Sequence, residues 1–172
     1  MTNRVHSFKA DERGIAAVEV ALVSALLTTA LFNVVEVGRY AYVASQVSAA
    51  SQAGAQAALV TCSATQTPIT SNCSAAVSAI TTALQGTTLG AGITQQGSLT
   101  ERWYCVNSGG GLQDMAAAAN KPSNCSAAGG SGLPGLYVTV EARYTYQPIF
   151  PGLTIVAALP ATATKSAWMR ML

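Results

Sequence analysis

Residues 14–40 read GIAAVEVALVSALLTTALFNVVEVGRY. From Ile15 to Val35 there are 21 residues carrying one charge, Glu19. About 20 apolar residues, rising ~1.5 Å each, span the ~30 Å hydrocarbon core of a bilayer. The run is longer than the apolar stretch of an ordinary signal peptide, and no small-x-small cleavage site is evident just after it. It reads as a transmembrane helix over 15–35. Arg4, Lys9 and Arg13 precede it, whereas Arg39 alone closely follows. That Lys/Arg bias places the N-terminal side in the cytoplasm and the C-terminal part outside.

The helical pattern continues past Val35 with no proline up to Leu59. Val37, Tyr40, Val43, Val47 and Gly54 recur at spacings of three and four or their sums, which is one helix face. Read as one element, Ile15 to Leu59 is 45 residues, or about 67 Å of helix. The stripe is neutral and rich in Ala, Ser, Gly and Gln, residues that let other backbones come close. It is expected to pack on the chain's own globular part, on neighbouring subunits, or on both with different faces. Glu36 and Arg39 stand three apart and are expected to pair on the helix surface.

The 172 residues amount to about one domain. Only 9% are charged, against about 25% in an ordinary soluble protein. The charges are clumped: none lies between Tyr40 and Thr100. A net charge of +2 is too small for the basic patch that nucleic-acid binding requires. His6 is the single histidine, which removes histidine-based triads and two-histidine metal sites from the part beyond the leader. An exported enzyme is therefore disfavoured, and no catalytic residue, cofactor or metal site is expected.

Glu19 is the most informative residue. An acidic group within a membrane helix is costly and usually functional. It lies five residues beyond Gly14, at the boundary between the charged leader and the apolar run. Cleavage after Gly14 would free an amine on Ile15 and make Glu19 the fifth residue of the mature chain. In a bundle of copies, that carboxylate would pair with the Ile15 ammonium of a neighbour and fix axial stagger. The plainer alternative is a glutamate reaching to the headgroups, which does not account for the Gly14 spacing.

Arg13-Gly14 followed by Ile15-Ala16-Ala17-Val18-Glu19 and a long apolar run resembles the class III, type IV pilin-like processing site. Within that class, Val35-Glu36-Val37-Gly38-Arg39-Tyr40 and the alanine-rich Gln46 to Ala58 are similar to TadE-like proteins of the Tad/Flp (type IVb) pilus system. The resemblance is strong over 13–60, weaker over 136–170 and absent as a motif over 61–135. Val20 stands where the family commonly has an aromatic residue. The resemblance implies cleavage between Gly14 and Ile15 by a prepilin peptidase. It also implies a minor pilin or pseudopilin that works with other pilin subunits and Tad assembly proteins in adhesion and surface attachment. The implied location is the bacterial inner membrane, single-pass, with incorporation into an extracellular pilus as a further destination. The rival is an uncleaved bitopic anchor whose exported domain binds a ligand or partner.

The expected organisation is a leader over 1–14, a transmembrane segment over 15–35, a helix continuation over 36–60 and an exported α+β domain over 61–172. Within the last, Ser74 to Leu84 has helical spacing, residues 98–106 read as a strand, and Leu112 to Asn120 reads as one or two helical turns. Leu136 to Tyr146 alternates as a strand with Leu136, Val138, Val140, Ala142, Tyr144 and Tyr146 on one face. Residues 161–171 read as a last strand. About three antiparallel strands packed on the emerging helix make the fold class α+β. The glycine-rich stretches 109–111 and 129–132 lack the lysine and strand–helix context of a phosphate loop and read as flexible loops. Cys62, Cys73, Cys105 and Cys125 all fall on the exported side, and an even count there favours disulfides. Sequence neighbours suggest Cys62–Cys73 and Cys105–Cys125, with three pairings open. Their spacings do not fit the close cysteine pairs of a structural zinc site.

Overall fold

The structure is a computed structural model that describes residues 12–62, 64–152 and 155–172. The leader expected over 1–14 therefore lies, up to residue 11, outside the described residues. The described residues form two compact units: 12–39 with 148–152 and 155–159, and 40–62 and 64–147 with 160–172.

Helix α1, Glu12–Thr61, is a single element of 50 residues with no interior proline. Its stretch in the first unit, up to Arg39, is apolar all round rather than two-faced, as in a helix surrounded by apolar material. Ile15, Val18, Leu22, Leu26 and Val34 are 59–71% exposed. Two hydroxyl side chains in this stretch are tied back to the helix. Thr28 and Thr29 hydroxyls donate to the carbonyls of Ser24 and Ala25, at 2.7 and 2.9 Å. Such back-bonds remove the hydroxyl donors that hydrocarbon would leave unsatisfied. By length and composition, α1 from Gly14 onward is able to cross a membrane.

In the second unit, the remainder of α1 is followed by α2 (Ile69–Asn72), α3 (Ala76–Leu84), and strands β1 (Ile93–Gln95), β2 (Thr100–Val106), β3 (Leu112–Ala117), β4 (Gly135–Thr145) and β5 (Thr162–Arg170). All pairings are antiparallel. The long strand β4 is central. β5 runs along one edge of it, with Val140 opposite Ala167. β2 and β1 share the other edge in succession, with Trp103 opposite Leu136 and Ile93 opposite Tyr144. β3 closes the outside of β2. This is the expected α+β class, with five strands among the described residues in place of about three.

The alternation of β4 does what period two dictates. Leu136, Val138, Val140 and Ala142 are buried, while Arg143 and Thr145 face out. Ile80 and Leu84 of α3 and Val43, Val47, Ala50 and Ala58 of α1 complete the core. Gly54 of α1 marks the closest approach. A Cβ there would stand 3.1 Å from Val140 Cγ1 and 3.2 Å from Leu84 Cδ2.

The expectation of helical turns over 112–120 is corrected. Residues 112–117 form β3, because residues 107–111 make a tight hairpin rather than a slack loop. Asn107 Oδ1 accepts the amides of Gly109 and Gly111 at 3.0 and 2.9 Å, and Gly110 takes φ 80°. Cross-strand pairing then overrides the helix propensity of Leu, Gln, Met and Ala. The second glycine stretch is equally specific. A Cβ on Gly130 would meet the Val106 carbonyl oxygen at 2.1 Å, so the backbone approach there excludes any side chain. Two disulfides join Cys62 to Cys73 and Cys105 to Cys125, with Cα separations of 5.9 and 5.5 Å. The second lies in a small buried cluster with Ala128, against which Met115 packs.

Candidate functional site

Gly14 and Ile15 sit in the first turns of α1, both exposed, and a Cβ on Gly14 would meet nothing within 4 Å. Glu19 follows one turn later, on an exposed stretch of the same helix. The helical rise places Glu19 about 7.5 Å along the axis from Gly14. Gly14, Ile15 and Glu19 thus lie on one continuous helix.

At the far end of the apolar stretch, three side chains of α1 hold the segment that begins at Pro148. Glu36 is 0% exposed, and its two carboxylate oxygens accept the Ile149 amide at 3.1 and 3.2 Å. Asn33 Oδ1 accepts the Ile155 amide at 2.8 Å, while Asn33 Nδ2 donates to the Thr29 carbonyl at 2.8 Å. The rings of Phe32 and Phe150 stack, with centroids 4.4 Å apart and planes 16° from parallel. Arg39 stands 3.8 Å from Glu36 Oε1. The expected Glu36–Arg39 pair is present, but the glutamate is buried rather than on the helix surface. A buried carboxylate needs hydrogen-bond donors to offset desolvation, and the Ile149 amide supplies one.

Of the residues expected on the packing face, Val43, Val47 and Gly54 are buried and Tyr40 is half-buried. Tyr40 meets Tyr146 edge-on, with centroids 5.2 Å apart. Val37 is 40% exposed and lies off that face. The helical positions 36, 40, 43 and 47 are the ones that align, so Glu36 takes the place expected for Val37.

Sequence reasoning missed Phe32, Asn33 and Glu101. Glu101 Oε1 accepts the Ile69 amide at 2.8 Å, and Oε2 accepts the Thr70 amide and hydroxyl at 3.1 and 3.2 Å. It fixes α2 to β2 and is nearly buried. Asn33 carried a signal that was legible in principle: it is a strongly polar amide inside an apolar run, three residues before Glu36. Glu101 carried none, since its partners are about thirty residues away in sequence.

On the solvent side of the sheet, Tyr104 lies 5.5 Å from Tyr137 and 5.1 Å from the exposed Trp168, centroid to centroid. Arg102 pairs with Asp114 across β2 and β3. The hydrogen bond to Asp114 raises the Arg102 pKa, and burial, ahead of the Asp114 charge, raises that of Tyr104. Neither shift moves a group toward neutral-pH acid–base work.

The model of the family described as TadE-like protein matches residues 14–56. No curated protein and no solved structure matches the chain. The matched stretch begins at Gly14, includes Glu19, Phe32, Asn33 and Glu36, and ends within the packing face of α1. The chain therefore carries a TadE-like N-terminal segment, consistent with a Tad pilus-related protein.

Proposed function

We propose that this chain is a minor pilin or pseudopilin taking part in assembly of a Tad/Flp-type pilus. A prepilin peptidase removes residues 1–14, and Ile15 becomes the mature terminus. Residues 15–35 hold the protein in the bacterial inner membrane, leader side inside, until it joins or underlies the pilus. Glu19 then pairs with the Ile15 ammonium of an adjacent subunit, which offsets the desolvation of both charges and sets the stagger between helices. The second unit presents a surface outside the cytoplasm to other subunits and Tad assembly proteins. The chain performs no catalysis in this role.

The observation that carries the reading is the TadE-like match starting at Gly14, with Glu19 exposed one helical turn beyond Ile15. Two variants separate its parts. Gly14→Leu is expected to leave the precursor uncut and pilus assembly impaired. Glu19→Ala is expected to be cut normally yet to assemble poorly. Normal processing of Gly14→Leu removes the pilin reading. Unimpaired assembly of Glu19→Ala removes the pairing role alone.

A further inference from the structure

We propose that the segment held against α1 by Phe32, Asn33 and Glu36 is a second membrane-contacting element, inserted into the interfacial zone of the bilayer beside the last turns of the spanning helix. The inference rests on the reading of 15–35 as a membrane span. Its occupant is lipid at the boundary of headgroups and acyl chains.

Four observations carry it. The first is position. The segment is tied to α1 at Asn33, within the expected span, and at Glu36, one residue past it. Its exposed side chains are therefore level with the outer end of the lipid-facing helix and continuous with that apolar surface. The second is composition. Residues 148–160 read PIFPGLTIVAALP and contain no charge. The third is exposure: Ile149 is 52% and Ile155 67% exposed, a cost in water that an acyl-chain boundary would remove.

The fourth is the backbone. Apart from a 3-10 turn at Ile155–Ala158 the described part of the segment is irregular, and such chain is tolerated near hydrocarbon only where its amides are satisfied. Pro148, Pro151 and Pro160 have no N–H to satisfy. The amides of Ile149 and Ile155 are taken by Glu36 and Asn33. These two polar side chains at the end of an apolar run thus acquire a purpose: they accept the donors of a segment that lies where water is scarce.

The test uses the full-length protein in phosphatidylethanolamine/phosphatidylglycerol vesicles, without reductant so that both disulfides stay closed. An environment-sensitive fluorophore is attached to a cysteine introduced by Ile155→Cys or, independently, Ile149→Cys. Leu26→Cys reports the middle of the span, and Leu133→Cys reports an exposed site of the other unit. The expected result is blue-shifted emission at both test sites. Lipid carrying a nitroxide near its headgroup should quench both several-fold more than it quenches the Leu133 label. Nitroxide deep in the acyl chain should quench the Leu26 label most.

Test labels that behave like the Leu133 label, with Leu26 still quenched, overturn the inference and leave the span intact. Blue-shifted labels that no nitroxide lipid quenches also overturn it, because protein rather than lipid then covers the segment. An unquenched Leu26 label overturns the span, and the inference with it. Two labelled positions keep a single misfolded variant from deciding the matter.

Discussion

Glu101 ties α2 to the sheet through three hydrogen bonds, two of them from backbone amides. Removing its carboxylate leaves the Ile69 amide buried without an acceptor. Such a loss costs about 1–3 kcal/mol. Glu101→Ala is accordingly expected to lower the thermal midpoint, and Glu101→Gln, which keeps one acceptor oxygen, to lower it less. Equal midpoints for wild type and Glu101→Ala in detergent would contradict this role. Glu36 and Asn33 follow the same logic in the other unit: polar groups on an apolar helix have partners supplied by a segment more than a hundred residues later. Glu19 differs. Its proposed partner is the terminus of another subunit, which exists only after cleavage and assembly.

At the scale of elements, α1 was legible because its signals are local. Length, apolarity, missing proline and a three-and-four spacing all lie within the stretch itself. β4 was legible for the same reason, since alternation over eleven residues is hard to mistake. β3 was not, because its residues favour helix and only the Asn107 hairpin and pairing with β2 make it extended. β1 is three residues long and has too few positions to show a period. Gly54 was picked out by its spacing, and its packing explains why a helix carries a residue that costs about 1 kcal/mol relative to alanine. Gly54→Leu should force Val140, Leu84 and Ile80 apart. Overpacking of this kind costs roughly 1–3 kcal/mol. Denaturant titration of the second unit's unfolding should show a lower midpoint, and an unchanged midpoint would mean that α1 is less tightly packed than the structure shows.

For the whole molecule, two disulfides supplement a core in which small alanines stand beside a few isoleucines, leucines and valines. Each closes a short loop, and the chain-entropy model assigns about 3 kcal/mol apiece. Reduction should therefore lower the unfolding temperature of the second unit, and Cys105→Ser with Cys125→Ser should cost more than the Cys62, Cys73 double change. Cys105 and Cys125 anchor a buried cluster with Ala128. Identical losses for the two double variants would contradict that difference. Gly14, Ile15 and Glu19 were singled out by their order along one helix, and the structure places all three exposed on α1. Of the clasp at Phe32, Asn33 and Glu36, only the polar Asn33 inside an apolar run left a local trace; its partners Ile149, Phe150 and Ile155 lie more than a hundred residues on, and contacts so distant in sequence leave no periodic pattern.

Processing at Gly14 is tested most directly by the intact mass and N-terminal sequence of the membrane-extracted protein from cells with and without the prepilin peptidase. The predicted result is a chain starting at Ile15 when the peptidase is present and retaining the leader when it is absent. A chain that keeps the leader in both would contradict the account and identify the protein as an uncleaved membrane anchor.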